Sequence, residues 1–154
     1  MNWLFFSTIL YKIDDILKRK AEGKLEVGGE PVDCLNGKVR LERIRNKGIA
    51  GGKFSDREEG VRNLTTLAFG GIILRFLAEL PKKGHTAKKF GLAMTAGGAA
   101  GNLADRWKRG SVTDFISVRV GGLRKIVFNP ADVFIGIGGL IAALDTFFSK
   151  NKDS

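Results

Sequence analysis

The sequence predicts a mainly α-helical chain, a four-helix bundle with a small antiparallel β-sheet inserted between the first and second helices. Three features indicate this class: four separate apolar blocks, strand and turn signals after the first block, and sharp helix boundaries around the later blocks. A length of 154 residues is typical of one domain. We therefore expect a single domain over residues 1–154.

Four uncharged apolar runs give the four predicted helices. They are Met1 to Tyr11, Asn63 to Leu74, Phe90 to Ala104 and Val133 to Leu144. None reaches the roughly 18 to 20 residues of an unambiguous transmembrane helix. Flanking charged residues extend each run toward that length if they lie at helix ends or face the bundle interior. Hydropathy alone therefore fits four short membrane spans and a soluble helix bundle equally well.

The first helix and the sheet occupy the N-terminal third of the chain. The helix is predicted over about residues 2–20 and the β-region over about residues 24–54. Within the β-region, Asn36-Gly37 separates two runs rich in β-branched and alternating residues. An Asn-Gly pair between such runs is a strong hairpin signal, so we expect a β-hairpin there.

Proline and glycine mark the remaining helix boundaries. The second helix is predicted over about residues 60–80 and the third over about residues 87–106. The breaking residues Pro81 to Gly84 between them predict a helical hairpin. Asn129-Pro130 marks the start of the fourth helix, about residues 130–149, with Asn as N-cap and Pro at the first helical position.

The composition limits the possible chemistry. Lys+Arg number 26 against 16 Asp+Glu, giving a net charge of +10, which indicates an anionic partner such as nucleic acid or an acidic membrane surface. Cys34 is the only cysteine and His85 the only histidine, which excludes an intramolecular disulfide and a zinc site of ordinary Cys/His ligation. Any metal site would have to rest on carboxylates.

Two aspartates are candidate catalytic residues. Asp114 and Asp132 lie on either side of a loop, one just before an apolar stretch and one in the first turn of the last helix. Two carboxylates brought together at the edge of an apolar bundle do not both ionise easily, so one keeps a proton while the other acts as a base. This is the arrangement of an aspartic protease.

Five ordered motifs cover most of the chain. Asp14 to Lys18 is similar to Asp-Gln-x-x-Lys, and Asn46 to Ala50 matches Asn-x-Gly-x-Ala. Gly97 to Arg106 matches Gly-Gly-Ala-x-Gly-Asn-x-x-Asp-Arg, and Gly110 to Phe115 matches Gly-x-Val-x-Asp-Phe. Phe128 to Asp132 matches Phe-Asn-x-Ala-Asp. Together these motifs resemble the signal peptidase II family, the bacterial lipoprotein signal peptidases.

The resemblance implies a multi-pass, four-helix protein of the bacterial inner membrane, with both termini in the cytoplasm and the active site toward the extracytoplasmic face. The implied activity is that of an aspartic endopeptidase, which removes the signal peptide of a prolipoprotein just before its diacylglyceryl-modified cysteine. The family requires no metal or other cofactor. The expected partners are the prolipoprotein and membrane lipid, not nucleic acid, and we expect a monomer.

The resemblance also assigns residues. Asp114 and Asp132 are implied to be the catalytic pair that activates water. The residues implied to bind substrate or support the site are Asn46, Asn102, Arg106, Asn129, Asp14 and Asp105.

Two other function classes are open to the sequence. A catalytically idle or retargeted family member would keep the fold and act as a membrane binding or scaffold protein. A soluble basic module would bind nucleic acid through salt-sensitive phosphate contacts from Arg40, Arg43, Arg45 and Lys47. The second alternative leaves the Gly-rich helix and both Asp motifs unexplained.

Overall fold

The structure, a computed structural model, describes residues 2–48, 54–119 and 126–150. Within these residues the helices are α1 (Trp3–Lys24), α2 (Glu58–Glu79), α3 (Thr86–Arg109) and α4 (Pro130–Lys150). The strands are β1 (Val32–Cys34), β2 (Val39–Asn46), β3 (Val112–Val118) and β4 (Val127–Phe128). The predicted class, mainly helical with a small antiparallel sheet, is confirmed.

The sheet has more strands than the predicted β-region supplies. Its strand order is β1-β2-β3-β4, with antiparallel pairing throughout, and β3 and β4 lie between α3 and α4 in the chain. The prediction that the sheet lies entirely between the first and second helices is therefore wrong. The segment Val112–Val118 is itself a strand, because its β-branched and aromatic residues pair along the full inner edge of β2.

The predicted hairpin is present. Cys34 pairs with Val39 across the turn that joins β1 to β2. Asn36 and Gly37 take positive φ angles of 55° and 76°, which Asn and Gly adopt more readily than other residues.

The helices bury charge and expose apolar side chains. On α1, Asp14 and Lys18 are fully buried, whereas Phe5, Ile9 and Ile13 are exposed. This distribution is the reverse of that in a water-soluble bundle, in which charged residues are almost never fully buried and apolar stripes face the core. It is typical of helices whose outer surface contacts lipid.

Two of the described helices are long and apolar enough to cross a membrane. These are Glu58–Glu79 and Pro130–Ser149, with mean hydropathies of 1.3 and 1.7 over their most apolar windows. Only 11% of each window is buried. A core helix of a soluble protein would be mostly covered by its neighbours, so the exposure of both windows agrees with a lipid-facing role.

Helix α3 packs against each of the other helices and lies closest to α4. Glycines make this approach possible. A Cβ atom added at Gly91 would lie 2.5 Å from the Gly138 carbonyl oxygen and 2.7 Å from the Ala142 nitrogen. Because these neighbours are backbone atoms, they cannot move aside without shifting α4. Small residues at such a contact are typical of helix association in membranes.

Replacing Gly91 with alanine is expected to lower the free energy of unfolding by roughly 1–3 kcal/mol, because the added methyl group overpacks the interface between α3 and α4. Unfolding in mixed micelles measures the change. Gly136→Ala is the matched control, because a Cβ at Gly136 meets nothing within 4 Å. Equal stability of the two variants would contradict the close contact.

Candidate active site

The polar residues singled out in the sequence meet where the helix bundle joins the sheet. Their side chains come from α1, β2, α3, β3 and the start of α4. They form one network of hydrogen bonds and ion pairs at this end of the bundle. Five separate elements are therefore required to assemble it.

The start of α4 positions Asp132. The helix begins at Pro130, as predicted, with Asn129 as its N-cap. The Asp132 backbone nitrogen donates to Asn129 Oδ1 at 3.1 Å, and the Asn129 nitrogen donates to Asp132 Oδ2 at 3.1 Å. This reciprocal pair is a capping box with aspartate at its third helical position. The carboxylate of Asp132 is thus fixed by local sequence.

The end of α3 positions Asp114. Gly110 terminates α3 with φ 72°, a left-handed conformation that glycine adopts without strain, and the chain turns directly into β3. In the antiparallel register of β2 and β3, Asp114 lies opposite Ile44. Side chains two residues apart share a face of a strand, so Asn46 reaches the carboxylate of Asp114.

Three asparagine side chains donate to the two carboxylates. Asn46 Nδ2 donates to Asp114 Oδ2 at 2.9 Å, and Asn129 Nδ2 donates to Asp114 Oδ1 at 2.6 Å. Asn102 Nδ2 donates to Asp132 Oδ1 at 2.8 Å. Asn129 contacts both aspartates and therefore bridges the pair.

The amide orientation of each asparagine is set by a donor on its oxygen. Asn46 Oδ1 accepts from the Gly48 nitrogen at 3.1 Å, and Asn102 Oδ1 accepts from Lys18 Nζ at 2.9 Å. Asn129 Oδ1 accepts from the nitrogen of Asp132. Because an amide has one acceptor and one donor end, each of these bonds directs the NH₂ group toward a carboxylate.

Burial makes Asp114 a weaker acid than an ordinary aspartate. Asp114 is only 3% exposed. This burial, together with the nearby charge of Asp132, raises the pKa of Asp114 from 3.8 to about 6. The hydrogen bonds from Asn46 and Asn129 and the positive charge of Lys18 act in the opposite direction. A carboxyl group with this pKa can hold a proton at the acidic side of neutrality.

Lys18 is the buried cation of the site. Its Nζ atom lies 2.7 Å from Asp14 Oδ2 and 3.1 Å from Asp105 Oδ2, and it donates to Asn102. Asp14 Oδ1 also accepts from the Ala131 nitrogen at 3.0 Å, which connects α1 to the first turn of α4. Asp14 and Asp105 therefore support the site through Lys18 and the backbone, without contacting either aspartate of the pair.

Arg106 connects the site to the segment after β2. Its Nη2 atom donates to the Gly48 carbonyl oxygen at 2.7 Å, and the side chain is buried. Its positive charge interacts with Asp114 and Asp132. The Nε atom has no hydrogen-bond partner within residues 2–48, 54–119 and 126–150. Arg106 thus brings a partly unused donor set to the carboxylates.

The glycines of the third motif allow this network to close. A Cβ at Gly101 would collide with the carboxylate of Asp14, and one at Gly97 would lie 2.6 Å from the Ser7 carbonyl oxygen. A Cβ at Gly98 would lie 2.5 Å from the Ala131 carbonyl oxygen. The Gly-rich face therefore brings α1 and α4 close enough to α3 for their polar side chains to meet.

All eight residues assigned from the sequence either belong to this network or lie in contact with it. Lys18 was part of a recognised motif but was not assigned a role, although its spacing of four from Asp14 in an apolar helix is a signal of a buried pair. Ile49 and Ala50, the end of the second motif, lie outside the described residues.

The cations of the proposed nucleic-acid module are largely paired. Arg40 lies 2.8 Å from Asp33, Arg43 lies 3.7 Å from Glu22, and Lys47 lies 2.7 Å from Glu58. Such pairing leaves little free positive charge along this strand for a row of phosphates.

The fold is that of known bacterial membrane enzymes. The chain superposes on one such enzyme, solved by the in meso method at 2.3 Å, with a TM-score of 0.84 and 19% identity over 99% of this chain and 91% of the other. A second, solved at 1.9 Å, gives a TM-score of 0.77 with 21% identity over 92% and 90% of the two chains. The chain therefore shares the fold of these membrane-embedded bacterial enzymes.

Sequence comparison gives the family. The family model described as signal peptidase (SPase) II matches residues 6–148. The lipoprotein signal peptidase of Fusobacterium nucleatum subsp. nucleatum is 32% identical over 99% of this chain and 90% of its own length. That of Desulforapulum autotrophicum is 31% identical over 96% and 92%. The chain belongs to the signal peptidase II family, a family of aspartic peptidases.

Proposed function

We propose that this protein cleaves bacterial prolipoproteins as an aspartic endopeptidase, with Asp114 and Asp132 as its catalytic pair. The observation that carries the proposal is that Asn129 bridges the buried carboxyl group of Asp114 and the residue Asp132 at the place where the helix bundle joins the sheet. Family membership supports signal-peptide removal as the activity.

The environment of the two carboxylates supports different roles for them. Asp132 lies in the first turn of α4, where the helix dipole stabilises negative charge, so it is the general base that takes a proton from water. Asp114, whose pKa is raised to about 6, begins the reaction with a proton on its own carboxyl group. As the water oxygen bonds to the scissile carbonyl carbon and the C–N bond breaks, Asp114 gives its proton to the leaving amine, and Asp132 keeps the proton taken from water. Asn46, Asn102, Asn129 and Arg106 orient the carboxylates and the substrate backbone.

An apolar cavity beside the pair supports a membrane-embedded substrate. It has a volume of about 270 Å³ and lies among α2, α3 and α4. Its wall is formed by Thr65, Ala68, Phe69, Ile72, Ala99, Asn102, Leu103, Arg106 and Ile135. The apolar side chains suit a signal-peptide segment or an acyl chain, and two polar side chains lead to the carboxylates.

The distribution of exposed apolar residues supports four membrane spans within a single domain. Helices α2 and α4 meet the length and hydropathy of a span directly. Helices α1 and α3 carry charges, but their fully or largely buried Asp14, Lys18 and Asp105 face one another inside the bundle. We place the sheet and the carboxylate pair toward the extracytoplasmic face of the inner membrane.

The substrate proposal is tested with two lipobox peptides of identical sequence, one carrying a diacylglyceryl-modified cysteine and one a free cysteine. The purified full chain in detergent is expected to cut the modified peptide just before that cysteine and to leave the unmodified one essentially intact. Equal cleavage of both would overturn the lipid requirement. No cleavage by folded protein would favour the idle or retargeted family member instead.

The pH dependence of kcat/KM reports the proton held by Asp114. Because its pKa is about 6, kcat/KM is expected to fall as the pH rises through this value and Asp114 loses its proton. Asn46→Ala removes a hydrogen bond that lowers this pKa, so the alkaline limb should move to higher pH. The exposed Asn63→Ala is the matched control. An alkaline limb unchanged in Asn46→Ala would refute this assignment.

A further inference from the structure

A second cavity, which is polar, lies on the other face of the sheet from the carboxylate pair. It has a volume of about 360 Å³, far more than the ~30 Å³ of one water molecule. The side chains around it are Glu22, Arg43, Arg45, Arg109, Ser111 and Thr113. Arg45 pairs with Thr113 across β2 and β3, whereas Asp114 is the next residue along β3 and points to the opposite face. The cavity is therefore separate from the candidate active site.

Arg43 is held in place before any ligand binds. Its Nη1 atom donates to the carbonyl oxygens of Glu22 and Leu25 at 3.2 and 3.3 Å, at the end of α1. The side chain is only 14% exposed. Its buried Nε atom has no hydrogen-bond partner among the residues that the structure describes. A buried, unused N–H donor on a fixed guanidinium group is costly unless a ligand or water accepts from it.

The cavity carries more positive than negative charge. Arg109 pairs with Asp105 at 2.6 Å and with Glu22 at 3.3 Å, and Arg43 also faces Glu22. Within the described residues, Arg45 makes no ion pair. Three guanidinium groups thus share two carboxylates, and one positive charge is left over. The hydroxyl of Thr113 is occupied by Glu22, while Ser111 adds a second, buried hydroxyl group.

We propose that this cavity, formed by Arg43, Arg45, Arg109 and Ser111, binds a phosphate group, either free or in the headgroup of an anionic phospholipid. Arginine forks and hydroxyl groups together match the several acceptor oxygens of phosphate. The volume leaves room for an ester substituent. The site lies at the ends of α1 and α3, where the helices meet the sheet, which is a suitable depth for a lipid headgroup.

The test is a direct binding measurement on the purified full chain in a nonionic detergent, by calorimetry at fixed salt. The probes are inorganic phosphate, dihexanoyl phosphatidylglycerol and dihexanoyl phosphatidylcholine. Arg45→Gln removes the unpaired charge without leaving a partner behind and should weaken binding about tenfold or more. Ser111→Ala, which changes no charge, should weaken it about two- to fivefold.

Arg57→Gln is the matched control. Arg57, like Arg45, is exposed and makes no ion pair within the described residues. Its affinity should equal that of the wild type. Tighter binding of phosphatidylglycerol than of phosphate or phosphatidylcholine would support the site and identify its ligand as a lipid headgroup. Binding of inorganic phosphate alone would support it as a site for free phosphate. No saturable binding, or equal weakening by Arg57→Gln and Arg45→Gln, would overturn the proposal. No cleavage is measured, so either result leaves the proposed protease function untouched.

Discussion

Replacing Asp114 with asparagine is expected to lower kcat for cleavage of a diacylglyceryl-modified lipobox peptide by about 10²–10⁴-fold, and Asp132→Asn should have an effect of the same size. An amide keeps the shape of the carboxyl group but neither takes up nor releases a proton at neutral pH. The measurement is the rate of product formation at saturating substrate by variants purified in parallel with the wild type.

The fold should survive this change better than the activity. Asp114 accepts from Asn46 and Asn129, and the oxygen of an introduced amide still accepts one of these bonds. Asp33→Asn is the matched control, because Asp33 is an exposed carboxylate on β1, a strand that supplies none of the eight site residues, and it pairs with Arg40. Full activity of Asp114→Asn, or an equal loss in Asp33→Asn, would refute the catalytic pair.

Replacing Lys18 with methionine is expected to lower the free energy of unfolding by about 3–5 kcal/mol. Lys18 is fully buried, and its removal leaves the carboxylates of Asp14 and Asp105 without the cation between them. Because Asp105 keeps its ion pair with Arg109, the cost arises mainly from the buried charge of Asp14, which loses its cation. Unfolding in mixed micelles measures it, with exposed Lys12→Met on the same helix as the matched control.

A double variant separates charge from packing. Lys18→Met combined with Asp14→Asn removes the carboxylate that loses its cation, since Asp105 still pairs with Arg109, while the amide still accepts from the Ala131 nitrogen. The double variant is therefore expected to be more stable than Lys18→Met alone. If it is less stable, the buried charge is not the cause, and side-chain packing of Lys18 would explain the loss.

Local signals in the sequence were sufficient to predict the helices and the part of the site around Asp132. The predicted start of α4 at Pro130 followed from Asn129 and Pro130 themselves, and the same residues form the capping box that holds Asp132. The hairpin followed from Asn36-Gly37 in the same way. These features depend on residues close together in the chain, so the sequence contains their full physical cause.

The third strand shows where local signals fail. Val112–Val118 is short, and its apolar residues also fit the start of a buried loop, so its pairing with β2 could not be read from the chain. Strand pairing depends on a partner that is more than 60 residues away, as the register of Asn46 with Val112 illustrates. The environment of Asp114, including its contact with Asn46, follows from that pairing.

The sequence by itself determined the mainly helical class and the family resemblance, because motif spacing and capping residues are properties of the chain, and the resemblance in turn proposed the eight site residues. Only the tertiary structure decided which groups meet: the bridge of Asn129 between the carboxylates, the fixing of Asn102 by Lys18 and the separate arginine-lined cavity. Each of these contacts joins elements that are distant in sequence. Glycines on α3 allow those elements to approach, and burial then strengthens every charge interaction among them.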